Sequence, residues 1–237
     1  MTEHGSRLNT ESSGQPLIRR GYPRLKWLLC AGLVRVLVRV RIDSLANLPC
    51  SDDGPFVIAC NHRAWIDPLA IIALLGPNRP VAFLAAREHI ERRAAMDRFF
   101  EFLGGVIKVE RTAHNQRAVL RAANATLDNG MRLALFPEGR INVPATTNMP
   151  LLPFESGAAV IARRGGVRIV PMAVAGSGDL HFRRRITFAI GPSLPAAAHH
   201  RDDDATTELL RITIAALLPE EPQQPCVQVG KWLGRLI

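Results

Sequence analysis

Short apolar runs that stop abruptly at polar residues, each followed by a stretch of helical character, recur along this chain and leave few folds open to it. Residues 56–60 run into Asn61-His62, residues 80–86 into Arg87-Glu88, and residues 106–109 into Glu110-Arg111. Residues 131–136 run into Pro137-Glu138-Gly139-Arg140, and residues 167–175 into Gly176-Ser177-Gly178. Between them lie helical stretches: 68–75 stopped by Gly76-Pro77, 87–104 carrying Ile90, Ala94 and Phe99, 117–129 closed by Gly130, and 157–164 stopped by Gly165-Gly166. The β-branched content of 35–42 favours another strand, 185–191 adds one more, and 203–218 closes as a helix. Strands separated by helices of this size predict an α/β fold with a mostly parallel central sheet flanked by helices. In such folds ligands collect beyond the carboxyl ends of the strands, so the polar residues at those ends point to one shared site.

The richest of these junctions is Phe-Val-Ile-Ala-Cys-Asn-His-Arg-Ala-Trp-Ile-Asp-Pro, residues 56–68. It reads as strand, short loop and helix, with Pro68 suited to a first helical turn. His62 and Asp67 can form an imidazole–carboxylate pair across the loop, in which the Asp sets the ring tautomer and stabilises the imidazolium. The residues leave a second reading open, with Asp67 as helix cap and His62 as an ordinary loop residue. His199 and Asp204 share the spacing but follow no apolar strand, so that pair reads as loop and cap.

The formal charge of +9 calls for an anionic partner: nucleic acid, a negatively charged membrane surface or a phosphorylated substrate. Arginines are spread along the chain, tyrosine occurs once, and no DNA-binding motif or aromatic stacking signature is visible, which disfavours nucleic acid. Cys30, Cys50, Cys60 and Cys226 have no paired metal-ligand spacing, so no zinc site is expected, and the environment reads as reduced and cytosolic; no cofactor is expected either. Cys60, beside the Asn-His pair, reads as a small buried residue rather than a thiol nucleophile.

Residues 1–16 are too polar to build a core and read as a disordered tail; residues 221–237 form a C-terminal tail after a domain spanning 35–220. Residues 17–34 are an amphipathic segment with a basic, aromatic leading edge, Tyr22, Arg24, Lys26 and Trp27. Two readings stand for it: an interfacial helix whose cations meet lipid phosphates, or a helix packed on the domain. A bilayer-spanning helix needs about 20 apolar residues and none occurs, nor does the start resemble a signal peptide. The expected location is the cytoplasmic face of the cell membrane, held peripherally or monotopically.

Four blocks of this chain together resemble the glycerolipid acyltransferase family, whose best-known members are 1-acylglycerol-3-phosphate acyltransferases. They are Asn61-His62 with Asp67; Gly104-Gly-Val-Ile-Lys-Val-Glu-Arg111; Phe136-Pro-Glu-Gly139; and Val170-Pro171 with following hydrophobics. They stand in family order and the resemblance covers roughly residues 35–192. It implies His62 as general base for an acceptor hydroxyl, Asp67 as its orienting partner, and acyl-CoA or acyl carrier protein as donor. It further implies that Asn61, Arg111, Glu138, Gly139 and Arg140 bind substrate, the two arginines clamping the phosphate of a lysophospholipid. A guanidinium fork matches phosphate geometry, whereas a carboxylate repels it, so Glu138 is expected to hold an arginine or a hydroxyl. The Gly-x-Ser-x-Gly elbow of a hydrolase is absent.

Two departures bear on the acceptor. After Phe-Pro-Glu-Gly the family commonly has Thr or Ser and then Arg, whereas Arg140 follows Gly139 directly here. Near Glu155 family members often carry a basic residue. The expected acceptor is 1-acyl-sn-glycerol-3-phosphate; another lysolipid, such as lyso-ornithine lipid, is the alternative, and a non-catalytic lipid-binding relative a further one.

Overall fold

A computed structural model describes residues 24–86, 105–109, 116–143, 149–195 and 202–219. The N-terminal tail, the helix expected over 87–104, Glu110, Arg111, His199 and the C-terminal tail lie outside the described residues. In chain order the elements are α1 (Arg24–Leu37), β1 (Val38–Asp43), β2 (Val57–Cys60), α2 (Asp67–Leu75), β3 (Val81–Ala86) and β4 (Val106–Val109). There follow α3 (Gln116–Asp128), β5 (Arg132–Leu135), α4 (Gly157–Gly165), β6 (Ile169–Ala175), β7 (Arg184–Ile190) and α5 (Asp203–Leu217).

The strands form one seven-stranded sheet in the order β1-β7-β6-β2-β5-β3-β4. Every pairing is parallel except β6 with β7, in agreement with the mostly parallel sheet expected from sequence. Because alternate residues of a strand face opposite sides, the apolar runs feed two cores. Phe56, Ile58 and Cys60 face α1 and α2 together with Phe83, Met172 and Phe188. Val57 and Ala59 face α3, α4 and α5 together with Leu133, Ile161 and Leu210. The result is a three-layer sandwich in which a strand buried on both faces is apolar throughout. Each fully buried Phe, Ile or Leu stabilises it by about 1.5–3 kcal/mol.

The strand expected over 35–42 starts three residues later, at Val38. Only residues 38–43 have partners in β7, Val38 opposite Arg184 through Asp43 opposite Ala189. The preceding residues stay helical because Cys30 and Val34 carry the stripe by which α1 packs on the core. Trp27 Nε1 donates to the carbonyl of Ile72 at 3.2 Å, and Cys30 Sγ to that of Leu69 at 3.6 Å, tying α1 to α2. The opposite side of α1 exposes Leu25, Leu28, Leu29, Leu33 and Val36, so the helix is apolar on two faces.

Pro171 lies inside a central strand, which removes a ladder donor. The backbone N–H of Gly191 donates to the Pro171 carbonyl at 2.9 Å. A strand residue points its N–H and C=O to the same neighbour, so the missing donor faces the point where β7 has just ended, and little is lost.

The chain leaves β2 for α2 on one face of the sheet and leaves the adjacent β5 for α4 on the other. That divergence opens a crevice at the carboxyl ends of β2 and β5, where a doubly wound sheet places its ligands. The β6–β7 corner nearby turns at Gly176, whose φ is +84° and where an added Cβ would lie 2.5 Å from the Arg185 carbonyl oxygen. Gly176→Ala is expected to destabilise the fold by about 2 kcal/mol or more, read as a lowered denaturation midpoint; an unchanged midpoint would contradict this corner.

Candidate active site

Asp67 is the first residue of α2, fully buried, and its Oδ2 gathers three donors. The backbone N–H groups of Arg63 and Ala64 donate to it at 2.7 and 2.8 Å. His62 Nδ1 lies 3.0 Å from the same oxygen. A helix cap would accept from amides of the following turn; this carboxylate reaches back to the loop instead, so the reading of Asp67 as a mere cap fails. An oxygen that already accepts two amides makes Nδ1 the donor, and the lone pair of the neutral ring then resides on Nε2. The His62 side chain is 15% exposed, enough for a small group to reach it.

The loop after β5 grips the same histidine. Phe136 stacks under its ring, with centroids 4.0 Å apart and planes inclined by 18°. Glu138 Oε1 accepts the His62 N–H at 2.9 Å, and the Asn142 N–H donates to the His62 carbonyl at 2.7 Å. Phe136-Pro-Glu-Gly139 is a four-residue turn closed by the Gly139 N–H donating to the Phe136 carbonyl at 2.9 Å. Proline in second place pre-sets the turn, and Gly139 at φ +67° lets the chain swing out to Arg140.

Of the residues singled out from sequence, His62, Asp67, Asn61, Glu138, Gly139 and Arg140 stand on these two neighbouring loops, and Arg111 lies outside the described residues. Two of them face other partners than expected. Asn61 is fully buried, its Oδ1 accepting the Val174 N–H at 2.7 Å and its Nδ2 donating to the Val174 carbonyl at 3.0 Å. It therefore bonds the mouth of β2 to β6. Glu138 is buried as well and accepts the Leu152 N–H on its second oxygen at 2.8 Å, so its partners among the described residues are main-chain amides and not an arginine or a hydroxyl. Arg140 is exposed at the rim and makes no hydrogen bond or ion pair among the described residues. Cys60 is buried, and desolvation, with Asp67 and Glu138 adding repulsion, pushes its thiol well above the usual range. That is the inert structural cysteine expected.

Sequence reading passed over Phe136 as a ring support, Asn142, and Arg63, whose Nη2 donates to the Pro150 carbonyl at 2.8 Å. The only available signal was an aromatic residue at the end of β5, which pairs Leu135 with Ala59 and so brings Phe136 beside the mouth of β2. Asp204 lies in the first turn of α5, whose cap is Asp202 accepting the Asp204 N–H, so the cap expected at Asp204 falls two residues earlier; His199 lies outside the described residues. No group of acidic, histidine and cysteine side chains suited to a metal occurs among the described residues.

Known proteins share both the sequence pattern and the fold. The family model described as Acyltransferase matches residues 39–175. The bovine 1-acyl-sn-glycerol-3-phosphate acyltransferase alpha is 29% identical over 175 residues, covering 70% of this chain and 58% of its own. The human form is 30% identical, covering 65% of this chain and 52% of its own. The Bacillus subtilis 1-acyl-sn-glycerol-3-phosphate acyltransferase is 25% identical, covering 71% and 82%. The chain thus spans little more than half the length of the mammalian relatives. The crystal structure of the 1-acyl-sn-glycerophosphate acyltransferase of Thermotoga maritima shares the fold, with a TM-score of 0.63 at 16% identity, covering 81% of this chain and 75% of that one.

The orientation of His62 is open to direct measurement. Nitrogen-15 NMR of the neutral ring is expected to show Nδ1 protonated and Nε2 bare, and Asp67→Ala to shift the ring toward the Nε2–H form. The same substitution strands the Arg63 and Ala64 amides and is expected to cost about 2–5 kcal/mol; an Nε2–H ring in the unaltered protein would refute the assignment.

Proposed function

The chain belongs to the acyltransferase family, its family model spanning residues 39–175, and from that premise we propose that it moves a fatty acyl group from a thioester to the hydroxyl of a lysophospholipid. The donor is acyl-CoA or acyl carrier protein, and the first acceptor to test is 1-acyl-sn-glycerol-3-phosphate. The observation that carries this reading is the ring of His62, held on Nδ1 by Asp67 and supported by Phe136, with Nε2 left to take a proton.

In this reaction Nε2 removes the proton of the acceptor hydroxyl as its oxygen attacks the thioester carbonyl. The buried Asp67 carboxylate stabilises the imidazolium that forms. The tetrahedral oxyanion then collapses, the C–S bond breaks, and the imidazolium returns its proton to the departing thiolate. A positioned base supplies about 10²- to 10⁴-fold, and a thioester is activated enough to need no metal. Arg140, exposed beside Gly139, supplies a guanidinium to the acceptor phosphate, and Arg111 is a second such group by resemblance. Arg140 directly after Gly139 favours a second reading of the acceptor, a lysolipid with a different head group.

The substrates are lipids, and α1 provides a way to meet them. Its outward face carries Leu25, Leu28, Leu29, Leu33 and Val36, flanked by Arg24 and Arg35. No acidic residue occurs from Leu17 to Ile42. Apolar residues edged by cations lie well at an anionic surface, each cation contributing on the order of 1 kcal/mol. No helix among the described residues is long and apolar enough to cross a membrane. On this reading one face of α1 packs on α2 and the other rests on the cytoplasmic leaflet.

His62→Ala is expected to lower acceptor-dependent thiol release from acyl-CoA by at least about 10²-fold; wild-type release would remove the proposed base. Arg140→Ala should raise KM for a phosphate-bearing acceptor about tenfold with little change in kcat, and a panel of lysolipids identifies the head group. Leu28→Ser with Leu29→Ser should abolish co-sedimentation with anionic vesicles while leaving the fold intact; retained binding would place the membrane contact elsewhere.

A further inference from the structure

Glu138 combines a buried charge with a set of partners that substrate binding does not explain. It is 5% exposed, and each carboxylate oxygen accepts a backbone N–H, His62 at 2.9 Å and Leu152 at 2.8 Å. Leu152 belongs to a segment that two other site residues hold: Arg63 Nη2 donates to the Pro150 carbonyl at 2.8 Å and Asn142 Nδ2 to that of Met149 at 3.3 Å. The bonds close a ring, from the His62 amide through Glu138 to Leu152, back along the chain to Pro150, and through Arg63 to the residue beside His62.

We propose that Glu138 is a positioning residue, a two-oxygen clamp that joins the His62 peptide to the Leu152 peptide and acts on acyl transfer through the base, without touching the acceptor. This inference rests on His62 being the base. Three observations support it. Both oxygens are already occupied by main-chain donors. The carboxylate stands close to Asp67, since Glu138 holds the His62 amide and Asp67 its ring, and two negative charges there repel an acceptor phosphate. The next cation, Arg140, points out of the turn to the exposed rim, so the turn separates a buried positioning side chain from an exposed binding one.

The chemistry of the side chain explains why glutamate stands here. A carboxylate accepts two amides that approach from different segments, one on each oxygen. Glutamine would accept one and turn its own NH₂ against the other. Aspartate keeps the charge but is one methylene shorter and cannot span both amides.

The test uses the full chain with Glu138→Gln and Glu138→Asp, steady-state kinetics in both substrates, and amide hydrogen exchange at His62 and Leu152. In Glu138→Gln exchange at one of the two amides, the one facing the new NH₂, should rise at least about tenfold and kcat should fall about 10- to 100-fold, with KM for the lysolipid within about twofold. Glu138→Asp should not restore kcat. A raised acceptor KM with unchanged kcat overturns the proposal, as does an aspartate variant of wild-type activity. If His62→Ala keeps thiol release, the base assignment falls, and exchange still reports whether the clamp exists. Unchanged exchange in Glu138→Gln beside an inactive His62→Ala overturns the clamp alone. Should Glu138→Gln fail to fold, exchange in the unaltered protein decides: both amides should be protected like core amides although they lie in loops, and fast exchange overturns the proposal.

Discussion

The arrangement depends most on one oxygen, Asp67 Oδ2, buried at the head of α2 with three donors converging on it. Burying a carboxylate costs several kcal/mol unless it is paired and hydrogen-bonded. The two loop amides offset part of that cost on Oδ2, Oδ1 being buried with no hydrogen-bond partner among the described residues, and in doing so they fold residues 62–64 around the carboxylate. The imidazole then meets an acceptor already in place, so its tautomer is set by the backbone as much as by the pair itself. A loop shaped this way needs a helix start on one side and a strand end on the other, and α2 and β2 supply them.

The turn after β5 is the second half of the same device. Each residue of Phe-Pro-Glu-Gly contributes something different: a ring under His62, a pre-set turn, a buried acceptor for two amides, and a left-handed exit. Preorganisation of this kind lowers the barrier because the base need not search for its orientation at the moment of reaction. It also separates functions that a linear motif runs together. Glu138 faces inward and Arg140, two positions on, faces solvent, so proximity in sequence says nothing about which of them meets a ligand.

Much of the fold was legible because strands buried on both faces are apolar nearly throughout, as the runs at 56–60, 133–135 and 169–175 are, with Arg132 at the head of β5 the exception. Their polar ends announced the site, and His62 with Asp67 was legible as a pair. The start of β1 was not, because the Val and Arg alternation beginning at 35 suits a strand while the stripe of Cys30 and Val34 holds the same residues in a helix. The choice fell at Val38, where β7 begins to offer partners. The parts played by Asn61 and Glu138 were hidden for a different reason. Their partners are the main chains of Val174 and Leu152, and backbone amides leave no mark on the identity of the residue that carries them.

The layered α/β architecture, the crevice at the strand ends and the imidazole–carboxylate pair are all readable from the chain alone, since they follow from hydrophobic periodicity and local spacing. Which polar residues face the crevice and which hold it together is a matter of strand order instead. Because β2 lies between β6 and β5, Asn61 meets Val174 on one side while His62 meets Phe136 and Glu138 on the other. Contacts between segments 76 and 113 residues apart depend on register and burial, and these arise only when the folded sheet brings the segments together.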